Sequence, residues 1–436
     1  MKIKVSTSPY IYLITFLIMF DGEFFSILPF SFINQTAFQT VVILGISLLL
    51  LLNTFINKKI RETIKPYSGY AILFMVVLLI VLILQGFYSY SAYSQSIQDV
   101  IYAASISFCR ILLIFPIIYL LCRPNGFTKL MNTITIITVF VLLIRTFRAI
   151  VYNTFGYDIL SHLGVSLRSD RMRLGLISVA GIAFIYICYR FLTSKRNTYQ
   201  QLLYFALILF FAFYEYYTNM TRMYIISFLV TFIMMLVTKR RPVNKEIVLI
   251  SCLLIIFVAL LASGAITQFM NTFSTEGDIG GSTVSRQNTI KYFNQVVKEQ
   301  PFFGLGLLIP KGTNYYIFFG PNGSAYLDDV GIINMFYHYG ILGLILVVMV
   351  FGRMLYVAVR LFFCHEYEKR IFLIGGLTYL AITSISLSAF DSQRMLSLVI
   401  LWAVFEHDYY SYYLNPRKYA KASILPHETG EVLSND

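Results

Sequence analysis

Residues 285–307 read SRQNTIKYFNQVVKEQPFFGLGL, and residues 325–344 read AYLDDVGIINMFYHYGILGL. Both fall in or beside a polar insert, residues 268–332, set in a chain that is otherwise a succession of apolar runs. Each run is about 20 residues long, enough for a helix rising about 1.5 Å per residue to cross a bilayer core of about 30 Å. A chain whose polar mass is gathered in one loop is expected to work at one membrane face.

Composition agrees. Of 436 residues, 58% are hydrophobic and 13% charged, and the mean hydropathy is +0.72. Soluble domains carry about 25% charged residues, so the sequence predicts an all-α polytopic membrane protein. Hydropathy predicts twelve transmembrane helices: Tyr10–Phe30, Phe38–Ile56, Gly69–Phe87, Val100–Leu121, Leu130–Ile150, Leu174–Leu192, Gln201–Tyr217, Arg222–Val237, Ile247–Thr267, Ile333–Val357, Ile371–Ser388 and Met395–Tyr412. Residues 1–414 then form one helical domain, and 415–436 read as a disordered cytoplasmic tail. The first apolar run lacks a small-x-small cleavage site and reads as a retained span.

With both termini placed in the cytoplasm, 22 of the 34 lysines and arginines fall in cytoplasmic segments and nine in outer ones. The positive-inside rule then puts the insert outside the cell. The net charge of +13 is read as this topological signal, not as a nucleic-acid surface, because no basic run with interleaved aromatics lies outside the spans. The five cysteines show no CxxC or Cys/His spacing, so neither a metal centre nor a disulfide framework is expected.

Within the insert, Ser282 and Thr283 can cap a helix running to Glu299 and stopped by Pro301. Ile290, Phe293, Val296 and Val297 share one face of it, which predicts an amphipathic helix. Gly304 and Gly306 follow, where the backbone can turn tightly against a ligand or a neighbouring helix.

The outer and intramembrane cations are nine arginines and three lysines, against ten and twelve in the cytoplasmic segments. Topology needs only charge, whereas a guanidinium grips phosphate oxygens with two parallel hydrogen bonds. Arg145, Arg148, Arg171, Arg173, Arg222 and Arg286 are therefore candidates to converge on a lipid diphosphate. Taken singly, each has a plainer use: snorkelling, or pairing with an outer carboxylate such as Asp21, Glu215, Asp328 or Asp391. Asp328 and Asp329 adjoin the next span. Asp329 is expected as a catalytic base, with Asp328 as a supporting charge, since like-charge neighbours and partial burial raise a carboxyl pKa. His338 is the third catalytic candidate, although packing is its commoner use.

Arg286 with Tyr292, Pro301-x-x-Gly304-x-Gly306, Asp328–Asp329–Val–Gly331 and Tyr339–Gly340–Ile–Leu–Gly343 resemble the long-loop signature of the O-antigen ligase/polymerase superfamily. Thr218-x-x-Thr221–Arg222 is similar to its short hydroxyl–arginine motif ahead of a span. The resemblance implies a GT-C-like membrane glycosyltransferase in the bacterial plasma membrane, with no metal or other cofactor. It implies an undecaprenyl-diphosphate-linked oligosaccharide as donor, bound by arginines, with Arg222 and Arg286 carried over most directly. Where the ligases have histidine followed by asparagine, this chain has Asp328–Asp329. That departure favours a Wzy-type polymerase of O-antigen, capsule or exopolysaccharide repeat units. Its expected partners are membrane lipids, a chain-length regulator and a flippase. The alternatives are a ligase acting on another acceptor and a lipid-linked oligosaccharide flippase.

Overall fold

The structure, a computed structural model, describes residues 9–21, 24–27, 36–160, 166–168, 171–193, 198–239, 281–312, 314–321, 323, 325–363 and 369–414. The expected span Ile247–Thr267, the N-terminal part of the insert and the tail lie outside these. Helix dominates: α1 (Pro9–Asp21), α2 (Thr36–Ile56), α3 (Lys58–Ile64), α4 (Gly69–Tyr93), α5 (Ile97–Phe108), α6 (Ile114–Leu121), α7 (Gly126–Phe155), α8 (Ala180–Thr193), α9 (Thr198–Tyr214) and α10 (Arg222–Thr238). After the undescribed stretch come α11 (Gly281–Glu299), α12 (Asn314–Phe319), α13 (Asn334–Phe362), α14 (Arg370–Thr383) and α15 (Met395–Asp408).

Among the described residues, six helical stretches are long and apolar enough to cross a membrane: Phe38–Ile56, Gly69–Tyr93, Ile97–Leu121, Gly126–Phe155, Thr198–Asn219 and Gly331–Phe362. Four more, Tyr10–Asp21, Ala180–Thr193, Arg222–Thr238 and Arg370–Thr383, are apolar but shorter. The molecule is a membrane-embedded helical protein. On α4, Leu79, Ile80, Ile83 and Phe87 remain exposed, a face that lipid satisfies and water does not. The interior is built on α15, in which every residue from Met395 to Asp408 is buried, flanked by the wholly buried α6. The charges of α15 are neutralised where they lie: Arg353 of α13 grips Glu406 through two 2.8 Å hydrogen bonds.

Several predicted spans are interrupted, and the interruptions carry the polar residues of interest. The span expected at Val100–Leu121 starts at Ile97 and tightens into a 3₁₀ turn at Cys109–Leu113, which holds Arg110. The span expected at Leu174–Leu192 is helical only from Ala180, because Leu174 instead donates its N–H to the Thr218 carbonyl. Helix α9 ends in a π turn, Glu215–Asn219. Hydropathy is blind to such changes of backbone pitch. One departure from the all-helical expectation is a small antiparallel hairpin, β1 (Ser166–Arg168) with β2 (Arg171–Arg173).

The insert has a core of its own. Phe293 and Val297 of α11 are buried with Leu305, Leu308, Leu327 and Tyr337, while Ile290 and Val296 pack partly buried beside them. The segment after Pro301 runs against a break in α13, where Gly340 takes φ 60 and ψ −147. Leu305 and Gly306 donate their N–H groups to the Tyr337 and His338 carbonyls, and Ile341 donates to the Pro301 carbonyl. Gln85 of α4 seals the join by donating to the Phe303 and Tyr339 carbonyls. Irregular backbone beside a membrane span is tolerable when protein satisfies its polar groups, as here. Both glycines are required by contact: a Cβ on Gly304 would stand 2.5 Å from the Tyr337 oxygen, and one on Gly340 2.3 Å from the Phe302 oxygen.

Candidate functional site

At the end of the bundle that carries the insert, helix breaks expose charged side chains to one another. Arg394 sits at the N-cap of α15 and donates from Nη1 to Asp391 at 2.7 Å and from Nε to the Tyr224 hydroxyl at 3.2 Å. Tyr224 lies in the first turn of α10. Burial works against the Arg394 charge, but Tyr224 and Asp391 outweigh it and raise its pKa, so the guanidinium stays charged. Asp328, in the 3₁₀ turn Leu327–Asp329, shares this neighbourhood. Its side chain is exposed at the surface, yet the protein around it strips much of its hydration. Desolvation, then the charge of Asp391, push its carboxyl up to about 6, against the opposing pull of Arg394.

A second limb meets the first through Asp391, which lies within electrostatic reach of Arg110. Arg110 donates to Asp21 at 2.6 Å, and both side chains are largely buried. Ser178 donates to the other oxygen of Asp21. A third limb runs from the π turn: Asn219 donates to Glu215 at 2.5 Å, and Thr221 donates to Asn219 Oδ1 at 3.0 Å. The other carboxylate oxygen, Oε1 of Glu215, is buried with no hydrogen-bond partner among the described residues. Acid, hydroxyl and guanidinium groups from six separate segments thus meet at one end of the bundle, with Tyr224 in electrostatic reach of Glu215, Asp391 and Arg394.

The arginines proposed from sequence divide. Arg173 on β2 donates to the Asn219 carbonyl at 3.1 Å and the Thr221 hydroxyl at 3.2 Å, which brings it to the loop leading into Arg222. Arg286 stands one turn before Thr289 on α11, and the Thr289 hydroxyl accepts from the Tyr326 N–H at 3.3 Å. That contact ties this part of α11 to the chain two residues before Asp328. Nε of Arg286 is buried with no hydrogen-bond partner among the described residues. Arg145 donates to the Gly175 carbonyl, two residues after β2. Arg171 is exposed on the hairpin. Arg148 is a correction: its fork is filled by Asp158 through bonds of 2.8 and 2.7 Å, with side chains only 3% and 10% exposed. A guanidinium so engaged braces the end of α7 and does not present its fork to a diphosphate.

The acids also rearrange. Sequence reasoning gave Asp329 the base and Asp328 the supporting charge; the charge environment singles out Asp328. Asp329, exposed like Asp328, donates its N–H to the Tyr326 carbonyl at 3.4 Å. His338 is held by its backbone, its ring packed edge-on to Phe318 at 5.4 Å, and its Nδ1 is buried without a hydrogen-bond partner among the described residues. It lies at the glycine-rich join. Sequence reasoning missed Arg394, Tyr224 and Arg110 as site members and treated Asp391 and Asp21 only as possible arginine partners. The signal available was the polar break Asp391-x-x-Arg394 between two apolar runs. Among the described residues, no group of three or more His, Cys, Asp or Glu is arranged to hold a metal ion.

Comparison with protein-family models gives no match, and comparison with curated proteins gives none either.

Proposed function

We propose that the chain is a membrane glycosyltransferase that polymerises undecaprenyl-diphosphate-linked oligosaccharide repeat units at the outer face of a bacterial plasma membrane. In this reading it has about twelve spans with both termini in the cytoplasm, and it serves O-antigen, capsule or exopolysaccharide synthesis. A flippase supplies its substrate and a chain-length regulator acts beside it.

The observation that carries the reading is that Arg286 has an unfilled buried donor on the helix that Thr289 ties to the chain two residues before Asp328, whose carboxyl is raised to about 6. The reaction requires two things. A sugar hydroxyl attacks the anomeric carbon, losing its proton to a base, and the bond from that carbon to the diphosphate oxygen breaks, its electron pair leaving with the diphosphate. A carboxyl with a pKa near 6 is mostly ionised at neutral pH and still basic enough to take the proton. Guanidinium groups already in place stabilise the charge that develops on the leaving group. Arg286 and Arg222, with Arg173 holding the loop before Arg222, are assigned to the diphosphate. Asp328 is assigned as base, with Asp391 and Arg394 setting its charge.

Cells lacking the protein and complemented with Arg286→Lys test this. The reading expects single-unit glycans at normal protein levels, because lysine keeps the charge but loses the two-pronged contact. Polymer of wild-type length from this variant would overturn the role given to Arg286, and polymer from cells lacking the protein altogether would overturn the polymerase reading.

A further inference from the structure

A cavity of about 420 Å³ opens between the second half of α11 and the end of α4, away from the charged cluster and with Gly304 in its lining. That volume lies within the range of about 300–1,000 Å³ typical of small-molecule sites. Its walls are of two kinds. Tyr88, Tyr93 and Tyr292 supply aromatic surface, while Gln295, Glu299 and Gln300 supply hydrogen-bonding groups.

The tyrosines are fixed. Tyr88 stacks on Phe303 with centroids 4.7 Å apart and planes 6° apart, and it meets Tyr93 edge-on at 5.9 Å. The Tyr292 hydroxyl donates to the Ile317 carbonyl at 3.1 Å, and the Tyr316 carbonyl lies 3.2 Å away. Rings held this way lose little freedom when a ligand settles on them. The polar groups, by contrast, are exposed at the rim. Each glutamine offers two donors and an acceptor, and the glutamate offers acceptors only.

Neither lysine nor arginine lines the cavity, and its one charged group is a carboxylate. It therefore suits an uncharged polyol with apolar C–H faces, and it disfavours a phosphate. We propose that this cavity is a saccharide-binding subsite, which takes the glycan portion of the substrate while the arginines take the diphosphate. The spacing along α11 fits. At about 1.5 Å per residue, Tyr292 lies about 9 Å beyond Arg286 and Glu299 about 20 Å beyond it. One rigid helix thus carries the headgroup contact at one end and the glycan contact at the other.

The inference rests on the polymerase reading, and its test separates the two. Full-length protein in detergent is mixed with the free repeat-unit oligosaccharide, released by mild acid from the lipid fraction of cells lacking the protein. Saturation-transfer NMR reads binding. Wild type and Arg286→Lys are expected to bind it, the latter while failing to polymerise. Tyr292→Ala and the rim variant Gln295→Ala/Gln300→Ala are expected to bind about tenfold more weakly, the loss that follows from removing a stacking face or two hydrogen bonds. The rim variant alters only exposed side chains, so it keeps the test decisive if Tyr292→Ala fails to fold. Equal binding by wild type and the rim variant, or no binding by wild type, overturns the subsite. Polymer of normal length from cells lacking the protein would instead overturn the polymerase reading and leave a saccharide site in place.

Discussion

Asp328 and Asp391 lie close enough that, after desolvation, the charge of Asp391 is the chief influence raising the Asp328 carboxyl to about 6. Arg394 acts on both, through a 2.7 Å ion pair with Asp391 and an opposing electrostatic pull on Asp328.

This arrangement predicts a pH-dependent stability with a definite sign. The carboxyl is raised from 3.8 to about 6 in the folded chain, so between those values the folded state binds more protons than the unfolded one. The contribution is fully present below pH 3.8 and is lost as pH rises through about 6. Thermal unfolding in detergent across this window should show that slope for the wild type and a flatter profile for Asp328→Asn. Identical profiles would remove the raised carboxyl from the account.

The two kinds of arginine should separate by measurement. Arg148→Ala removes both guanidinium hydrogen bonds from the buried Asp158 carboxylate, which keeps the Leu160 N–H, and is expected to cost roughly 3–5 kcal/mol of stability. Arg286→Lys should leave the unfolding temperature nearly unchanged and abolish polymer. If Arg148→Ala unfolds like the wild type, its pair with Asp158 is not the brace assigned to it.

The glycine join supplies a third expectation. Gly304→Ala and Gly340→Ala place a Cβ against backbone oxygens at 2.5 and 2.3 Å, at φ values of 63 and 60. Strain at such a residue costs about 1–3 kcal/mol before any clash is counted. Gly45→Ala, on a helix with open space around it, is the control. Unfolding temperatures of the three variants test the difference.

Orientation is open to direct labelling. With native cysteines replaced by alanine, Glu299→Cys should react with an impermeant maleimide in intact cells or spheroplasts, and Lys59→Cys should not. Both side chains are exposed, so the reversed pattern would place the insert in the cytoplasm and undo the outer-face reading.

What the sequence made legible follows from what periodicity can carry. The apolar runs mark helices, and the spacing of Phe293 and Val297 marks the buried face of α11. The breaks were not legible, because a glycine at φ 60 inside α13 and a 3₁₀ turn around Arg110 leave hydropathy unchanged. Three-residue strands at 166–168 and 171–173 are too short for an alternation signal. The convergence of Asp21, Arg110, Asp391, Arg394 and Asp328 was hidden for another reason. Apart from the Asp391–Arg394 pair, each lies on a different segment, and which segments are neighbours is decided by packing around α15. The choice of Asp328 over Asp329 likewise depends on Asp391, distant in the chain.

The most direct test is polymer formation by purified protein in liposomes supplied with the lipid-linked repeat unit, followed across pH for wild type, Asp328→Asn and Asp329→Asn. The account predicts wild-type activity that rises through about pH 6 as Asp328 ionises, the same profile for Asp329→Asn, and no polymer from folded Asp328→Asn. Polymer from Asp328→Asn with an unchanged pH profile would contradict it.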